Sequence, residues 1–187
     1  MNDDENNASG PELSGAGPMN DLRLEAARKR LAESRGQEDA IEGLREIVAN
    51  FLGSEEIGLF KVDRGTATFQ VFWSFGIDPE MYDLRRALGE AGLQMVMRGE
   101  CHVDIAALNR SGAMARVQAF VPIRSANQTI AILAILRLLP QKLAFDGSDM
   151  ELFKLLSDEA ATPLFGPSGC SELAAAKQLN HEPGMKA

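Results

Sequence analysis

The chain has 187 residues, 45% of them hydrophobic, and a formal net charge of −8 at neutral pH. This length predicts one domain with flanking segments, and an acidic surface argues against nucleic acid as a partner because it repels phosphates. No apolar run is long enough to span a membrane, and the polar, acidic start is unlike a signal peptide. Two cysteines, Cys101 and Cys170, make no disulfide framework. The sequence therefore predicts a cytoplasmic protein without membrane or nucleic-acid partners.

Both ends of the chain differ in composition from its middle. Residues 1–19 are acidic, polar and nearly free of core-forming side chains, which predicts a disordered tail. Residues 20–36 have the propensity of an N-terminal helix, and Gly36 should end or kink it. Residues 37–165 are expected to form the domain, and residues 166–187 a linker and a C-terminal tail. The N-terminal helix carries an apolar row made of Leu22, Leu24, Ala27 and Leu31.

The first part of the domain predicts a helix followed by a β-hairpin. The helix spans 37–52, and Gly53 is suited to cap its C-terminus. The strand at 56–62 has apolar residues on both faces, as central strands do. The second strand, 66–75, alternates polar and apolar residues, so one of its faces should be wet. Its other face carries an aromatic-rich row that is expected to pack into the core, made of Phe69, Val71, Trp73 and Phe75.

Shorter elements should follow the hairpin. Asp78 and Pro79 are typical of a helix start, a further helical turn or two is predicted at 93–98, and residues 104–114 should form a loop. The strand between them contains Cys101 and His102, which point to opposite faces and cannot bind one metal ion. No zinc-type spacing of Cys and His is present. Neither a metal nor another cofactor is expected.

The most regular apolar pattern lies at residues 116–139, where two strands flank a polar turn at 125–128. The second strand, 129–136, is apolar on both faces and is therefore expected at the centre of the sheet. The first strand has one apolar face, made of Val117, Ala119, Val121 and Ile123.

The last predicted element of the domain is a helix at 147–164. Ser148 and Glu151 have the spacing of a capping box, with Ser148 as the N-cap and Glu151 reaching back. Pro163 must end or kink this helix, because proline clashes with the carbonyl four residues earlier. A hairpin, a short loop and an amphipathic helix together predict the end of a one-sheet domain.

Four patches of the chain occur in an order and spacing that are typical of one family. They are Gly89–Leu93 with Met97–Glu100, Val103–Asp104, Phe120–Ile123, and Ile130–Leu133 with the helix that starts at Ser148–Asp149 and includes Leu156 and Ala160. Together they resemble the GAF domain, a small-molecule-sensing module common in bacterial signalling proteins. The resemblance covers residues 38–164, and one departure is Ala131, where the family usually has glycine.

The resemblance implies an α+β fold. This would be a three-layer sandwich with a central, mostly antiparallel sheet, terminal helices on one face, and loops and short helices on the other. The helices at 37–52 and 147–164 would lie side by side on that face, and Pro122 would be tolerated at a bulge. The implied function is a non-catalytic sensory or regulatory module that binds a small molecule, a partner protein, or both.

In GAF domains the pocket lies between the sheet and the loops that cross it. Arg110 and Arg116 are the basic residues in or beside the predicted loop, and an arginine pair is suited to an anionic ligand. Both are equally compatible with solvated loop positions. The resemblance implies ligand-binding residues Phe72, Trp73, Met95, Arg98, Arg110, Met114, Arg116 and Val121.

Two alternatives for function stay open. The first is a dimeric protein-interaction scaffold whose pocket is filled by its own side chains and holds no ligand. The second is an enzyme that resembles the free methionine sulfoxide reductases, which use several cysteines around the pocket, whereas this domain offers Cys101 alone.

A homodimer is expected from the apolar row of the N-terminal helix. Monomers avoid exposed apolar patches, and a two-fold dimer would bury this row against itself. The alternative is that the helix folds back on its own domain.

Overall fold

The computed structural model of the chain describes residues 18–66, 68–81, 83–103 and 118–175. The helices in this part are α1 (Pro18–Ala32), α2 (Gln37–Ile47), α3 (Leu84–Met97), α4 (Gly147–Glu159) and α5 (Ala161–Ala175). The strands are β1 (Ser54–Asp63), β2 (Thr68–Phe75), β3 (His102–Val103), β4 (Ala119–Ser125) and β5 (Gln128–Leu138). Most of the predicted N-terminal tail, the whole 104–114 loop and the last part of the predicted C-terminal tail lie outside the described residues.

The five strands form one antiparallel sheet in the order β2-β1-β5-β4-β3. β5 lies at its centre, and residues 129–136 are buried on both faces. Helices α1, α2, α4 and α5 cover one face, which we call the helix-layer face, and α3 covers the other, which we call the α3 face. The predicted α+β, three-layer fold is confirmed, and so is the central position of β5.

The helix-layer face differs in detail from the prediction. The helix expected at 147–164 is two helices, α4 and α5. The first ends at Glu159, and the second begins after Ala160, before Pro163 is reached. Pro163 falls in the first turn of α5, where a missing N–H removes no hydrogen bond. α5 then continues through Gly166, where it kinks (φ 67°, ψ 168°), so the segment predicted as a linker is helical as far as Ala175. α2 packs beside α5, and α4 and α5 lie over β4.

The N-terminal helix α1 packs on α4 and α2 of its own domain. Ala27 and Leu31 are fully buried there and Leu24 is partly buried, whereas Leu22 is 61% exposed. The expectation that this row lies exposed until a second copy covers it is therefore wrong. Two buried apolar side chains and the ion pairs Arg23–Asp149 and Arg28–Glu159 hold the helix against its own domain.

Glycines separate the first three elements, as predicted. Gly36 takes a φ of 144° between α1 and α2, a conformation that a side chain would strain. The predicted helix 37–52 consists of α2 and a π-helical turn at Val48–Leu52, and Gly53 caps this turn in the left-handed conformation (φ 67°).

α3 is a single kinked helix where two short ones were predicted. Its N-cap is Asp83, whose carboxylate accepts a hydrogen bond from the Arg86 backbone N–H at 3.0 Å. The predicted helix start at Asp78 produces one 3₁₀ turn, Pro79–Met81. Gly89 bends α3 (φ 63°, ψ 179°). Gly92 lets it approach β3, since an added Cβ would lie 3.2 Å from the His102 ring.

The aromatic row predicted for the second strand is not on one face. β2 has a β-bulge at Phe72, which lies between the pairs Phe60–Val71 and Leu59–Trp73 and has no partner in β1. From Trp73 onward the side chains of β2 therefore lie on the face opposite to the predicted one. Phe69 packs on the α3 face, whereas Phe72 and Trp73 pack on the helix-layer face. Perfect alternation in a sequence cannot reveal such a bulge, because the extra residue shifts every later side chain to the other face.

The hairpin of β4 and β5 follows the prediction at its turn. Ala126 and Asn127 both have positive φ, 47° and 61°, as a two-residue type I′ hairpin turn requires. Pro122 is buried and pairs with Ile132 of β5, and the register shifts one residue later, after Ile123. β3, the neighbour of β4 on its other side, pairs only with Ala119 and Phe120 and so ends before the proline. This arrangement places Pro122 where a missing N–H is tolerated.

The capping box of α4 is present but shifted by two residues from the predicted one. Asp146 is the N-cap, and its carboxylate accepts hydrogen bonds from the backbone N–H groups of Ser148 and Asp149. The Asp149 carboxylate accepts in return from the Asp146 N–H at 2.9 Å. Ser148 and Glu151, the predicted pair, lie inside the helix.

Candidate functional site

A cleft of about 310 Å³ lies on the α3 face, between β2 and the first turn of α3. Its floor is Phe60 of β1, its strand wall comes from β2, and its helix wall comes from the start of α3. The volume is at the lower end of the range for small-molecule sites. The lining residues are Phe60, Thr68, Phe69, Val71, Asp83, Leu84 and Arg85.

The bulge in the hairpin and the kink in α3 explain why a cleft forms here. Because the bulge turns Trp73 to the helix-layer face, where alternation already places Phe72, the large apolar side chains that β2 offers to α3 are Phe69 and Val71. The kink at Gly89 lets the first half of α3 run in a different direction from the second half, which packs on the middle of the sheet. Fewer large side chains and a diverging helix leave space at the sheet edge.

The charged groups of the cleft belong to the start of α3. Asp83 is held in place because its carboxylate caps the helix through the Arg86 N–H. A capping carboxylate is also favoured by the positive end of the helix dipole. The site thus combines a lining of four apolar side chains with a carboxylate and a guanidinium, those of Asp83 and Arg85, at one end.

The described residues among the predicted ligand-binding set do not meet in one place. Phe72, Trp73 and Val121 belong to the apolar cluster of the helix-layer face. Met95 and Arg98 lie in and just after α3, across the sheet from them. One cavity cannot be lined by both groups, because the sheet separates them. Arg110, Met114 and Arg116 lie outside the described residues.

The contacts of the predicted aromatic pair are those of packing residues. The Phe72 ring lies 5.1 Å from the Phe165 ring of α5, and the Lys61 ammonium lies 4.4 Å from the Phe72 ring centre. Trp73 stacks on Phe75 at 6.4 Å. These distances suit aromatic and cation–π contacts that fasten β2 to α5.

Arg98 is paired with a near neighbour in the sequence. Its Nε donates to a Glu100 carboxylate oxygen at 2.9 Å, and its side chain is 60% exposed. This hydrogen bond lowers the pKa of Glu100. In these contacts Arg98 supports the turn at Gly99 on the protein surface.

None of the seven cleft residues is in the predicted ligand-binding set, and Phe69 and Val71 were assigned to the core. Phe60 looked like an ordinary core residue of a central strand, since nothing in an alternating pattern identifies a cavity. The sequence did contain a signal for Asp83, because aspartate is a preferred N-cap residue and a helical segment follows it from Leu84. Asp78 and Pro79 give a stronger signal for a helix start, so the start was predicted there instead.

Cys101 has the environment of a structural thiol. Burial, followed by the charge of Asp158, raises its pKa to about 11, although Arg124 acts in the opposite direction. Its neighbour His102 lies on the α3 face, 6.0 Å from the Phe120 ring, while Cys101 packs against the core of the helix-layer face. The predicted opposite orientation of the two side chains is confirmed.

Two further clefts lie between helices on the helix-layer face. One, of about 410 Å³, separates α1 from α4 and is lined mainly by charged side chains such as Arg28, Lys154 and Glu159. The other, of about 540 Å³, lies between the α1–α2 turn and α5. Neither reaches the sheet, and the first is crossed by the ion pair of Arg28 and Glu159 at 2.9 Å.

Within residues 18–66, 68–81, 83–103 and 118–175, no three potential ligands among His, Cys, Asp and Glu come together in the way a metal ion would need. None of the described helices has the length and apolar character that crossing a bilayer requires.

No sequence family and no curated protein matches the chain. Solved structures do match its fold. The GAF domain of an Acinetobacter phosphoenolpyruvate-protein phosphotransferase is 16% identical, with a TM-score of 0.53 over 88% of this chain and 98% of that one. The corresponding GAF domain from Coxiella burnetii gives 16% and 0.53 over 86% and 98%. The GAF domain of an Escherichia coli potassium sensor histidine kinase gives 16% and 0.50 over 83% and 98%.

Proposed function

We propose that this chain, which has the fold of a GAF domain, is a non-catalytic sensory or regulatory module of bacterial signalling. In this proposal a small molecule binds in the cleft between β2 and α3. The observation that supports it most is the cleft itself, an apolar cavity with a few polar groups at one end on the more thinly covered face of the sheet. Small-molecule sites generally have this composition.

The lining restricts the class of ligand. Phe60, Phe69, Val71 and Leu84 favour an apolar body, and the volume of about 310 Å³ favours a compact one. Asp83 and Arg85 at the helix start would orient a polar group of the ligand. We therefore expect a small, largely apolar molecule with one polar end.

The output of such a module would pass to a protein partner or to a second copy. One of the similar structures is a domain of a sensor histidine kinase, which supports a place in signalling. The expected homodimer and the cytoplasmic location belong to the same proposal. Since α1 buries Ala27 and Leu31 in its own domain, the dimer needs a different surface from the one the sequence suggested.

A scaffold without a ligand is the second candidate, and one observation favours it. The second half of α3 packs directly on the sheet, with Leu93 and Val96 buried against Phe120 and Ile132. Much of the α3 face is therefore filled by the protein's own side chains. In the scaffold reading, the cleft at the sheet edge would be a packing gap and hold no ligand.

A methionine sulfoxide reductase activity has the least support. Such an enzyme needs a reactive thiolate, and a pKa of about 11 leaves Cys101 almost wholly protonated near neutral pH. The other cysteine, Cys170, is buried in α5 on the helix-layer face.

The experiment that tests the proposal is mass spectrometry of small molecules released from freshly purified protein. The wild type should release a compact compound in a stoichiometric amount. Val71→Trp should abolish this, because a large ring at residue 71 would occupy the cleft. Gln70→Trp is the matched control, since Gln70 is the neighbouring exposed residue of β2 but does not line the cleft.

The outcome also separates the two candidates. Equal amounts of the compound in wild type and Val71→Trp would place its site elsewhere and contradict the proposed cleft. If the wild type releases no compound, the ligand-free scaffold is favoured.

A further inference from the structure

β2 forms an exposed edge of the sheet. Among the described strands it lies first in the order and is hydrogen-bonded to β1 alone, and it is eight residues long. An edge strand presents a row of unpaired backbone N–H and C=O groups on which another strand can add. Proteins that must stay monomeric usually protect such an edge with charged residues, proline or a very short strand.

β2 has almost none of these protections. Its sequence, TFQVFWSF, contains no charged residue and no proline, and the bulge at Phe72 is its one irregularity. The opposite edge strand, β3, has two residues in the described part of the chain. Two large apolar side chains of β2 are exposed, Val71 to 47% and Phe75 to 40%, and they lie on opposite faces of the sheet.

We infer that β2 pairs with β2 of a second copy of this chain, antiparallel across a two-fold axis, to make one continuous sheet from two domains. The composition of the strand suits this occupant. A strand with no charge attracts no charged partner electrostatically, whereas it meets an identical strand without like-charge repulsion. A two-fold pairing is also self-complementary, so the exposed Val71 side chains of both copies lose water together.

The second copy would complete the cleft described above. Val71 and Phe69 form the strand wall of the cleft and belong to the outermost strand of the isolated domain. A paired β2 from the second copy would extend this wall with its own side chains on the same face. The dimer thus brings the partner copy to the cleft. The inferred pairing does not depend on whether a ligand fills the cleft.

Gln70→Glu tests the pairing with little disturbance to the single domain. Gln70 is exposed and lies directly opposite Lys61 of β1, so a glutamate there gains an opposite charge within its own sheet. Between two copies of β2 the same glutamate meets no cation, because the strand has none. We expect sedimentation to show a dimer for the wild type, and a dissociation constant raised about tenfold or more for Gln70→Glu.

Leu22→Glu is the matched control on the opposite surface. Leu22 is an exposed apolar residue of α1, and its replacement makes the same change of charge away from β2. This variant should dimerise like the wild type. A wild type that stays monomeric at high micromolar concentration overturns the inference, as does a dimer that Leu22→Glu breaks and Gln70→Glu leaves intact.

Amide hydrogen exchange of the wild type decides the question without any variant. The inference predicts that the outward N–H groups of β2 become protected as the protein concentration rises, in step with dimer formation. Protection that is the same at all concentrations overturns it, because a segment of the same chain or a foreign partner would then cover the edge. Absence of protection in a sedimenting dimer overturns it as well.

Discussion

The two faces of the sheet are built differently. On the helix-layer face four helices cover the strands, and the core includes fully buried residues such as Leu133, Phe153 and Leu156. On the α3 face one kinked helix covers the strands, and an open cleft remains at the edge. The two clefts on the helix-layer face lie between helices, so the contact of that layer with the sheet is closely packed. Closely packed interiors tolerate few voids. In the proposed function the helix-layer face provides stability and the α3 face provides room for a ligand.

A matched pair of leucine substitutions should show the difference most strongly. Leu133 is fully buried in β5 on the helix-layer face, and Leu84 is 4% exposed beside the cleft. Leu133→Ala should lower the free energy of unfolding by about 4 kcal/mol, because it leaves a closed cavity. Leu84→Ala should cost about 2 kcal/mol, since water and the cleft already border the site. Urea unfolding measures both, and equal losses would contradict the comparison.

The buried carboxylate of Asp149 offers a second test on the helix-layer face. Asp149 is fully buried and accepts from Arg23 Nη2 of α1 at 2.6 Å and from Lys142 Nζ at 2.8 Å. Asp149→Asn would leave both cations without their counter-charge and should cost about 3 kcal/mol.

Asp158→Asn is the control for that substitution. Its pair with Arg124, at 3.2 Å, is partly exposed, with 29% of the Arg124 and 45% of the Asp158 side chain accessible, so the loss should stay under about 1 kcal/mol. If Asp149→Asn were as mild as this control, the buried pair would not fasten α1 to the domain.

The helix caps of the two faces should differ by less. Asp146 shares a reciprocal capping box with Asp149, whereas Asp83 accepts one helix N–H. At neutral pH Asp146→Ala should therefore cost about 1.5 kcal/mol and Asp83→Ala about 0.5 kcal/mol. A larger loss of stability for Asp83→Ala than for Asp146→Ala would contradict the proposal that the helix-layer face contributes more stability than the α3 face.

The contribution of Asp146 should also depend on pH. Hydrogen bonds from the Ser148 side chain and from the helix N–H groups lower the pKa of Asp146 in the folded protein. A carboxyl group with a lowered folded pKa stabilises the fold above its unfolded pKa, and this stability is lost as the pH falls through the folded value. Wild type and Asp146→Ala should thus converge in stability in strong acid. An undiminished difference there would show that ionisation of Asp146 is not the cause.

A kinetic prediction concerns the thiol of Cys101. With a pKa of about 11, the thiolate is a minor form at pH 8, so a disulfide reagent should react about 100-fold more slowly than with a free cysteine. Cys170→Ser isolates this reaction, and its rate should rise up to pH 10 and beyond. Reaction at the free-cysteine rate at pH 8 would show that the thiol is reactive and would support the methionine sulfoxide reductase alternative.

The sequence predicted the elements whose signals are local and strong. β5 was placed at the centre because it is apolar on both faces, and the turn at 125–128 and the cap at Gly53 follow from short-range chemistry. The cap positions at Asp83 and Asp146 were missed because neighbouring residues gave competing start signals. Such competition is settled by packing, which a single sequence does not display.

The site was less predictable than the fold. The cleft depends on a bulge that exchanges the faces of β2 and on a kink at Gly89, and neither alters the periodic pattern in a recognisable way. The predicted set mixed residues from both faces because the resemblance supplies positions along the chain and not the direction of each side chain. The placement of α1 also depended on tertiary contacts, chiefly the burial of Ala27 and Leu31.

Hydrogen exchange of the wild-type protein, at a single low concentration, tests the contrast between the faces most directly. The account predicts that amides of β5 and α4 exchange only through global unfolding, since they lie in the densely packed layer. Amides in the part of α3 before Gly89, beside the cleft, should exchange about 100-fold faster or more through local opening. Equal protection of α3 and α4 would contradict the account, because the α3 face would then be as rigid as the helix-layer face.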